Sequence, residues 1–228
     1  SDRIGHVPYL LDAEISRLSV ADWKPKDVRK FRDTMKLDGY ADATIVKRMN
    51  ILASVIQYAI SELDIHTINH ASGKVVKRPE GADRKRNRRL MPAGREHNRS
   101  EEERLIEAVT SLKFQQDVWL VRWGIETACR LAESLSLTWD NVNLDNRTIT
   151  LPKTKSDRHR KEIGAEVRPI SPMAVQVLID KLNGNEKPTH GRVFPGVVSK
   201  AFSVRFGRVA KGAGLADLTY HDLRHEAT

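Results

Sequence analysis

Three short stretches hold the side chains best suited to chemistry. The first is Thr127-Ala128-Cys129-Arg130-Leu131-Ala132-Glu133, with an arginine and a glutamate three apart. On a helix that spacing puts both on one face, so Glu133 can orient Arg130. The plain alternative is a surface ion pair of little worth. The second is a basic segment, Lys153, Lys155, Arg158, His159, Arg160 and Lys161. A lysine at a hairpin tip can reach across a substrate into a site; taken alone, the segment reads more simply as a solvated turn. The third is His221-Asp222-Leu223-Arg224-His225. On a helix His221 and Arg224 point at one place, and two converging donors suit a phosphoryl oxygen. A guanidinium is planar, bidentate and permanently charged, which matches phosphate geometry.

The third stretch has a rival reading. His221 and His225 stand four apart, the spacing of a zinc-binding helix. That motif wants a glutamate after the first histidine, where this chain has Asp222. No third ligand is evident in the three residues that follow, and Arg224 would be repelled by the metal. His225 then reads as a structural donor, and no metal or other cofactor is expected. Two arginines, a histidine and a lysine, with few acids among them, fit phosphoryl transfer without a metal. Pentacoordinate phosphorus puts extra charge on the non-bridging oxygens, and fixed cationic donors stabilise that charge more than the ground state. Removing one such donor typically costs about 3–4 kcal/mol, or about 100–1000-fold in rate.

These side chains need elements to hold them. Ser100-Glu101-Glu102-Glu103 is a capping-box pattern ahead of Leu105 and Val109. Helical spacing continues over 114–127 and over 131–137. Thr148-Ile149-Thr150-Leu151 reads as a strand after a turn at Asp145-Asn146. A further strand ends near Ile170, which makes a small antiparallel sheet among helices. Helices follow over 173–182 and around Phe202, Phe206 and Val209, the latter stopped at Gly212-Ala213-Gly214. One more helix begins at His221. Nearer the start, Val28, Phe31 and Met35 mark a helix within 22–37, with Pro25 in its first turn and Gly39 beyond its end. A second starts near Ala43-Thr44 with Asp42 as candidate N-cap, its apolar stripe running from Ile45 through Met49, Leu52 and Ile56 to Ala59.

The chain has 228 residues, 39% hydrophobic, 30% charged and 6% aromatic. That is a soluble globular composition with room for one large domain or two modest ones. No apolar run reaches about 18 residues, so a transmembrane helix is excluded. The single cysteine, Cys129, rules out a disulfide framework. A cytoplasmic or nucleoid setting is expected. The net charge of +9 and pI near 9.7 point to a polyanionic partner, nucleic acid first. Between Lys74 and Arg99 stand ten basic residues against three acids, a net +7. Pro79, Gly81, Pro92 and Gly94 punctuate this stretch and discourage a helix. Three parts are therefore expected: a helical domain over 1–73, a basic interdomain linker over 74–99, and a mixed domain over 100–228. The linker reads as a strap along a phosphate backbone, where each neutralised phosphate releases counterions. The opening at Ser1 and the close at Thr228, in mid-element, are read as the limits of part of a longer protein.

Four stretches together resemble a known family. They are 126–133 (ETACRLAE), 137–142 (LTWDNV), 147–155 (RTITLPKTK) and 221–228 (HDLRHEAT). In order and type they resemble the tyrosine recombinases of the phage-integrase superfamily, close to the shufflon-invertase branch. The likeness runs over roughly the whole of 20–228, and its closing histidine-x-x-arginine-histidine motif is the most specific part. The resemblance implies a mainly α fold with a small antiparallel sheet, a helical core-binding domain joined by the basic linker to a mixed α+β catalytic domain, the two gripping a duplex. It implies site-specific DNA recombination through a 3′-phosphotyrosyl intermediate, without metal or ATP, by a homotetramer on double-stranded DNA.

Carried over by position, the resemblance makes Arg130 and Arg224 the arginines that clamp the scissile phosphate, with Glu133 in support. His221 would bond the phosphate or handle the nucleophile's proton. Lys155, with Lys153 as runner-up, would protonate the leaving 5′-oxygen. Thr44, Lys47 and Arg48 would lie on a helix against DNA, and Arg84, Lys85, Arg86, Arg88 and Arg89 in the basic strap. Two departures stand out: Ala128 replaces the family's usual glycine, and the segment 155–169 is long. The nucleophilic tyrosine of the family follows the closing motif by some tens of residues, so it is expected beyond residue 228, and residues 1–228 alone are expected to bind DNA without cleaving it. Tyr220 precedes the motif and reads as a packing residue. A non-catalytic DNA-binding relative of the same fold is the alternative, and a metal hydrolase built on the two histidines the more distant one. A type IB topoisomerase would share the chemistry without the specific site.

Overall fold

The computed structural model describes residues 4–82, 86–94, 97–151 and 165–227. The chain forms two compact units, divided between Lys85 and Arg86. No helix of the described residues is long and apolar enough to cross a membrane.

The first unit is helical. After α1 (Val7–Asp12) come two short 3-10 turns and then α2 (Pro25–Leu37) and α3 (Asp42–Glu62). Pro25 opens α2, and the Lys24 backbone N–H donates to Asp27 Oδ2 at 2.9 Å. Proline suits this place because the first-turn N–H has no helical partner to lose. Val28, Phe31 and Met35 then face Ile45, Met49, Leu52 and Ile56 of α3 in one buried core. Between the helices Gly39 takes a left-handed backbone (φ 78). The α3 start differs from the expectation: Ala41 is the N-cap, and Asp42 lies inside the first turn. There its charge still meets the positive end of the helix.

Arg48 is a correction. Expected to face DNA, it is only 7% exposed. Its guanidinium lies 3.6 Å from the Tyr9 ring centroid and 4.2 Å from that of Tyr40. Position 48 falls beside Met49 on the inner side of α3, where two aromatic rings give a desolvated cation its partner. The chain after α3 packs back on this unit. Arg78 donates to Ala71 O at 2.7 Å and to Asn50 Oδ1 at 3.1 Å, and Val76 is buried. The stretch expected as a linker over 74–99 is thus shared out: its first part belongs to this unit and the part from Arg86 to the second.

The second unit begins its helices with α4 (Glu101–Thr110) and α5 (Gln115–Thr127), followed by the short α6 (Leu131–Ser136). Ser100 caps α4 as its sequence pattern requires: its Oγ accepts from Glu103 N at 3.1 Å, and Ser100 N donates to Glu103 Oε2 at 2.8 Å. The sheet is antiparallel in the order β1 (Val142–Asn143), β2 (Thr148–Leu151), β3 (Glu166–Pro169). Ile149 pairs with Val142 on one side and Arg168 on the other. β2 buries Ile149 and Leu151, one face of the strand's two-residue period. α7 (Pro172–Leu182) and α8 (Ser199–Gly212) complete the helices around a core that includes Leu120, Trp123, Phe194 and Phe202. The helix expected from His221 onward is a 3-10 helix, Tyr220–His225. The fold is mainly α with one small antiparallel sheet.

Candidate active site

Arg130 owes its position to a chain reversal. α5 stops at Thr127, and Ala128 adopts the left-handed conformation at φ 51. Arg130 is extended and stands as the N-cap of α6. It therefore does not share a helix face with Glu133; the Glu133 carboxylate caps it instead, accepting both bonds from Arg130. Arg130 N donates to Glu133 Oε2 at 2.8 Å, and Arg130 Nη1 donates to Glu133 Oε1 at 2.5 Å. One carboxylate thus fixes both the backbone and the guanidinium. Glu133 is 6% exposed, whereas the Arg130 side chain is 46% exposed and reachable by a ligand. Burial would raise the Glu133 pKa, but the bonds from Arg130 and the charges of Arg130 and Arg168 outweigh it and hold the carboxyl below its ordinary value.

The 3-10 helix is held from below and at its start. Tyr220 is buried and donates its hydroxyl to Leu120 O at 3.2 Å, with the Phe202 and Phe206 rings edge-on to it. Gly124 permits this approach: a Cβ there would stand 2.8 Å from the Tyr220 hydroxyl. Thr219 N and Oγ1 both donate to Asp222 Oδ2 at 2.7 Å, capping the first turn. A 3-10 helix has about 3.0 residues per turn, so side chains three apart eclipse. His221 and Arg224 consequently project together, and both line a cleft of about 310 Å³ with Cys129 and Leu131. His225 falls about 120° further round, so the histidines at zinc spacing do not share a face. Among the described residues no group of three or more His, Cys, Asp or Glu could hold a metal ion.

Arg224 is half-buried. Burial first, then the charges of Arg130 and Arg168, hold its pKa below the ordinary arginine value, with Glu133 opposing. The two arginines picked from the sequence are therefore near enough to repel each other. Arg168 is the residue that sequence reading missed. It reaches in from β3, with Nη1 3.5 Å from Glu133 Oε2 and 3.7 Å from Cys129 Sγ, and Nη2 3.0 Å from Glu166 Oε1. Its only local signal is an arginine in a strand that flanks the sheet core. Burial pushes the Cys129 thiol up despite Arg168, so the sulfur is no ready thiolate. The guanidinium groups of Arg130, Arg168 and Arg224 interact with the one buried Glu133 carboxylate, which leaves the region beside the cleft positive and suited to an oxyanion.

The remaining expected residues divide. Lys155 and Lys153 lie outside the described residues, as do Arg84 and Lys85. On α3, Lys47 is exposed and Thr44 half-buried. Arg89 is exposed. Arg86 and Arg88, expected along a phosphate backbone, are engaged within the second unit. Arg86 Nε donates to Asp222 Oδ1 at 2.6 Å, and Arg88 pairs with Glu101 at 2.6 Å and Asp217 at 2.8 Å. Asp217 and Asp222 lie far along the chain and Glu101 lies just beyond the basic stretch, which is why a local charge count misses the pairing.

Known proteins resemble this chain over most of its length. A putative integrase/recombinase of Haemophilus influenzae is 27% identical over 224 residues, covering 93% of this chain and 54% of that protein. The chain thus spans about half the length of this relative. The Tn1549 transposon integrase, solved with transposon right-end DNA, superposes with a TM-score of 0.73 at 18% identity, over 99% of this chain and 78% of that one. A lambda integrase dimer bound to a COC′ core site gives 0.64 at 17% identity, over 90% and 72%. These two likenesses are of fold. Residues 97–228, more than half of the chain and all of its arginine cleft, match the phage integrase family, and the chain belongs to that family.

Proposed function

We propose that the chain is part of a site-specific DNA recombinase that cuts and rejoins strands through a 3′-phosphotyrosyl intermediate. The observation that carries this reading is that Arg130, from the α5–α6 junction, and Arg224, from a distant 3-10 helix, come near enough for their charges to interact, with His221 eclipsing Arg224 along the neighbouring cleft. In the proposed reaction a tyrosine oxygen bonds to phosphorus and the P–O5′ bond breaks. Arg130 and Arg224 neutralise the non-bridging oxygens, and His221 bonds the phosphate or takes the tyrosine proton. Lys155 gives a proton to the leaving 5′-oxygen, with Lys153 as the runner-up. Glu133 holds Arg130. Thr44 and Lys47 of the first unit, with Arg84, Lys85 and Arg89, are proposed to meet the DNA backbone. The partner is a double-stranded recombination site, held by a homotetramer in the cytoplasm.

The nucleophile is proposed to follow residue 228 in the longer protein. Tyr220 is buried, and burial raises its pKa well above the ordinary phenol value. Tyr9 and Tyr40 stack on Arg48. The burial of Tyr220 also favours a second reading, a relative that binds DNA without cutting it. A nicked suicide substrate separates the two. The longer protein should trap a covalent adduct, residues 1–228 should not, and Arg130→Ala or Arg224→Ala should abolish the adduct by about 100-fold or more while DNA binding persists. Equal loss of binding and cleavage would count against a catalytic role for either arginine.

A further inference from the structure

Arg86 to Met91 carries part of the chain's most basic stretch, yet its contacts run to the element that holds His221 and Arg224. Arg86 Nε donates to Asp222 Oδ1 at 2.6 Å, and its Nη2 bonds Asp217 O. Four residues on, Leu90 N donates to Glu226 Oε1 at 2.7 Å. Asp222 is the capping residue at the start of the 3-10 helix and Glu226 stands at its C-cap. The segment therefore ties both ends of that short helix. It is itself anchored elsewhere: Arg88 pairs with Glu101 and Asp217, and Met91 N donates to Glu101 Oε2 at 3.1 Å.

We infer that Arg86 is a positioning residue for the arginine cleft: through Asp222 it sets the 3-10 helix that presents His221 and Arg224, and it is not a DNA-backbone contact. Two physical effects support it. Asp222 is 1% exposed, and a buried carboxylate left without its cation is strongly unfavourable. Asp222 also adjoins His221 in a site that needs positive charge, and Arg86 cancels that negative charge where it arises. A lysine could pair with Asp222 but could not also fork to Asp217 O as the guanidinium does.

The inference rests on the recombinase reading for its rate effects, so the test carries one readout that does not. In the full-length protein, Arg86→Gln should speed amide hydrogen exchange over 220–225. It should slow single-turnover cleavage at saturating DNA by about 10–100-fold, the scale of a small misplacement of reacting groups. Affinity should stay within about twofold and its salt slope unchanged, because no phosphate contact is lost. Arg86→Lys should recover part of the rate. Arg86→Gln combined with Asp222→Asn should be no slower than the worse single variant, since both act through one contact. If Arg86→Gln instead lowers the salt slope by about 1 and leaves saturated cleavage unchanged, Arg86 is a phosphate contact and the inference is overturned. Unchanged exchange over 220–225 would overturn it as well. Absence of cleavage in the unsubstituted protein, with exchange still responding, would fell the recombinase reading and leave the positioning role standing.

Discussion

Glu133 concentrates the residue-scale argument, because a single buried carboxylate fixes Arg130 and meets Arg168. Its folded pKa lies below the unfolded value of about 4.3. Its stabilisation is therefore complete above that value and is lost as pH falls through the folded one. Glu133→Gln should cost about 1–3 kcal/mol at pH 7 and flatten the acid limb of the stability profile. An acid limb identical to that of the unsubstituted protein would remove Glu133 from the account. Ala128 shows the opposite case, a residue in a conformation that suits it poorly. Left-handed backbone costs a non-glycine residue about 1–2 kcal/mol, partly offset by glycine's greater freedom when unfolded. Ala128→Gly should thus raise stability by about 0.5–1 kcal/mol in urea unfolding. The glycine expected by family resemblance at this place has its reason in that φ of 51°.

At the scale of the element, the site turns on a six-residue 3-10 helix too short to hold itself. Its order comes from packing, with Tyr220 seated against α5 at Gly124. Gly124→Ala should push that ring away and destabilise the protein by about 1–3 kcal/mol, read by thermal unfolding and by tyrosine near-ultraviolet dichroism. Tyr220→Phe removes the bond to Leu120 O and should cost about 0.5–1.5 kcal/mol. It should leave covalent adduct formation intact; a folded Tyr220→Phe protein unable to form adduct would make this residue the nucleophile. The helix type was not legible in the sequence. His221-Asp222-Leu223-Arg224-His225 fits α and 3-10 spacing alike at three residues, and only the packing of Tyr220 and the Asp222 cap select the tighter turn. The α4 cap, by contrast, was legible, because Ser100 and Glu103 satisfy each other locally.

On the scale of the whole molecule, charge is the property that reads most easily and maps least simply. The net +9 says that a polyanion is a favourable partner. It does not say which cations face it. Arg48 is spent between two tyrosine rings, and Arg88 is held by Glu101 and Asp217. Arg89→Gln should lower the salt slope of DNA binding by about 1 on every sequence. Arg88→Gln should lower the melting temperature and leave the slope alone. A reversed pattern in the two variants would restore the simple picture of a basic strap. The amino-acid order by itself determined what depends on neighbours along the chain: the apolar stripes of α2 and α3, the strand pattern of β2, the stop at Gly212-Ala213-Gly214, and the arginine, histidine and glutamate types of the cleft. Tertiary structure alone decided which charges are neutralised, that Arg168 joins Glu133 across 35 positions, and that Arg86 reaches Asp222 across 136. The reason is physical: periodicity and capping act within a turn or two, whereas the pairing of charges depends on distances that exist only once the chain has closed on itself.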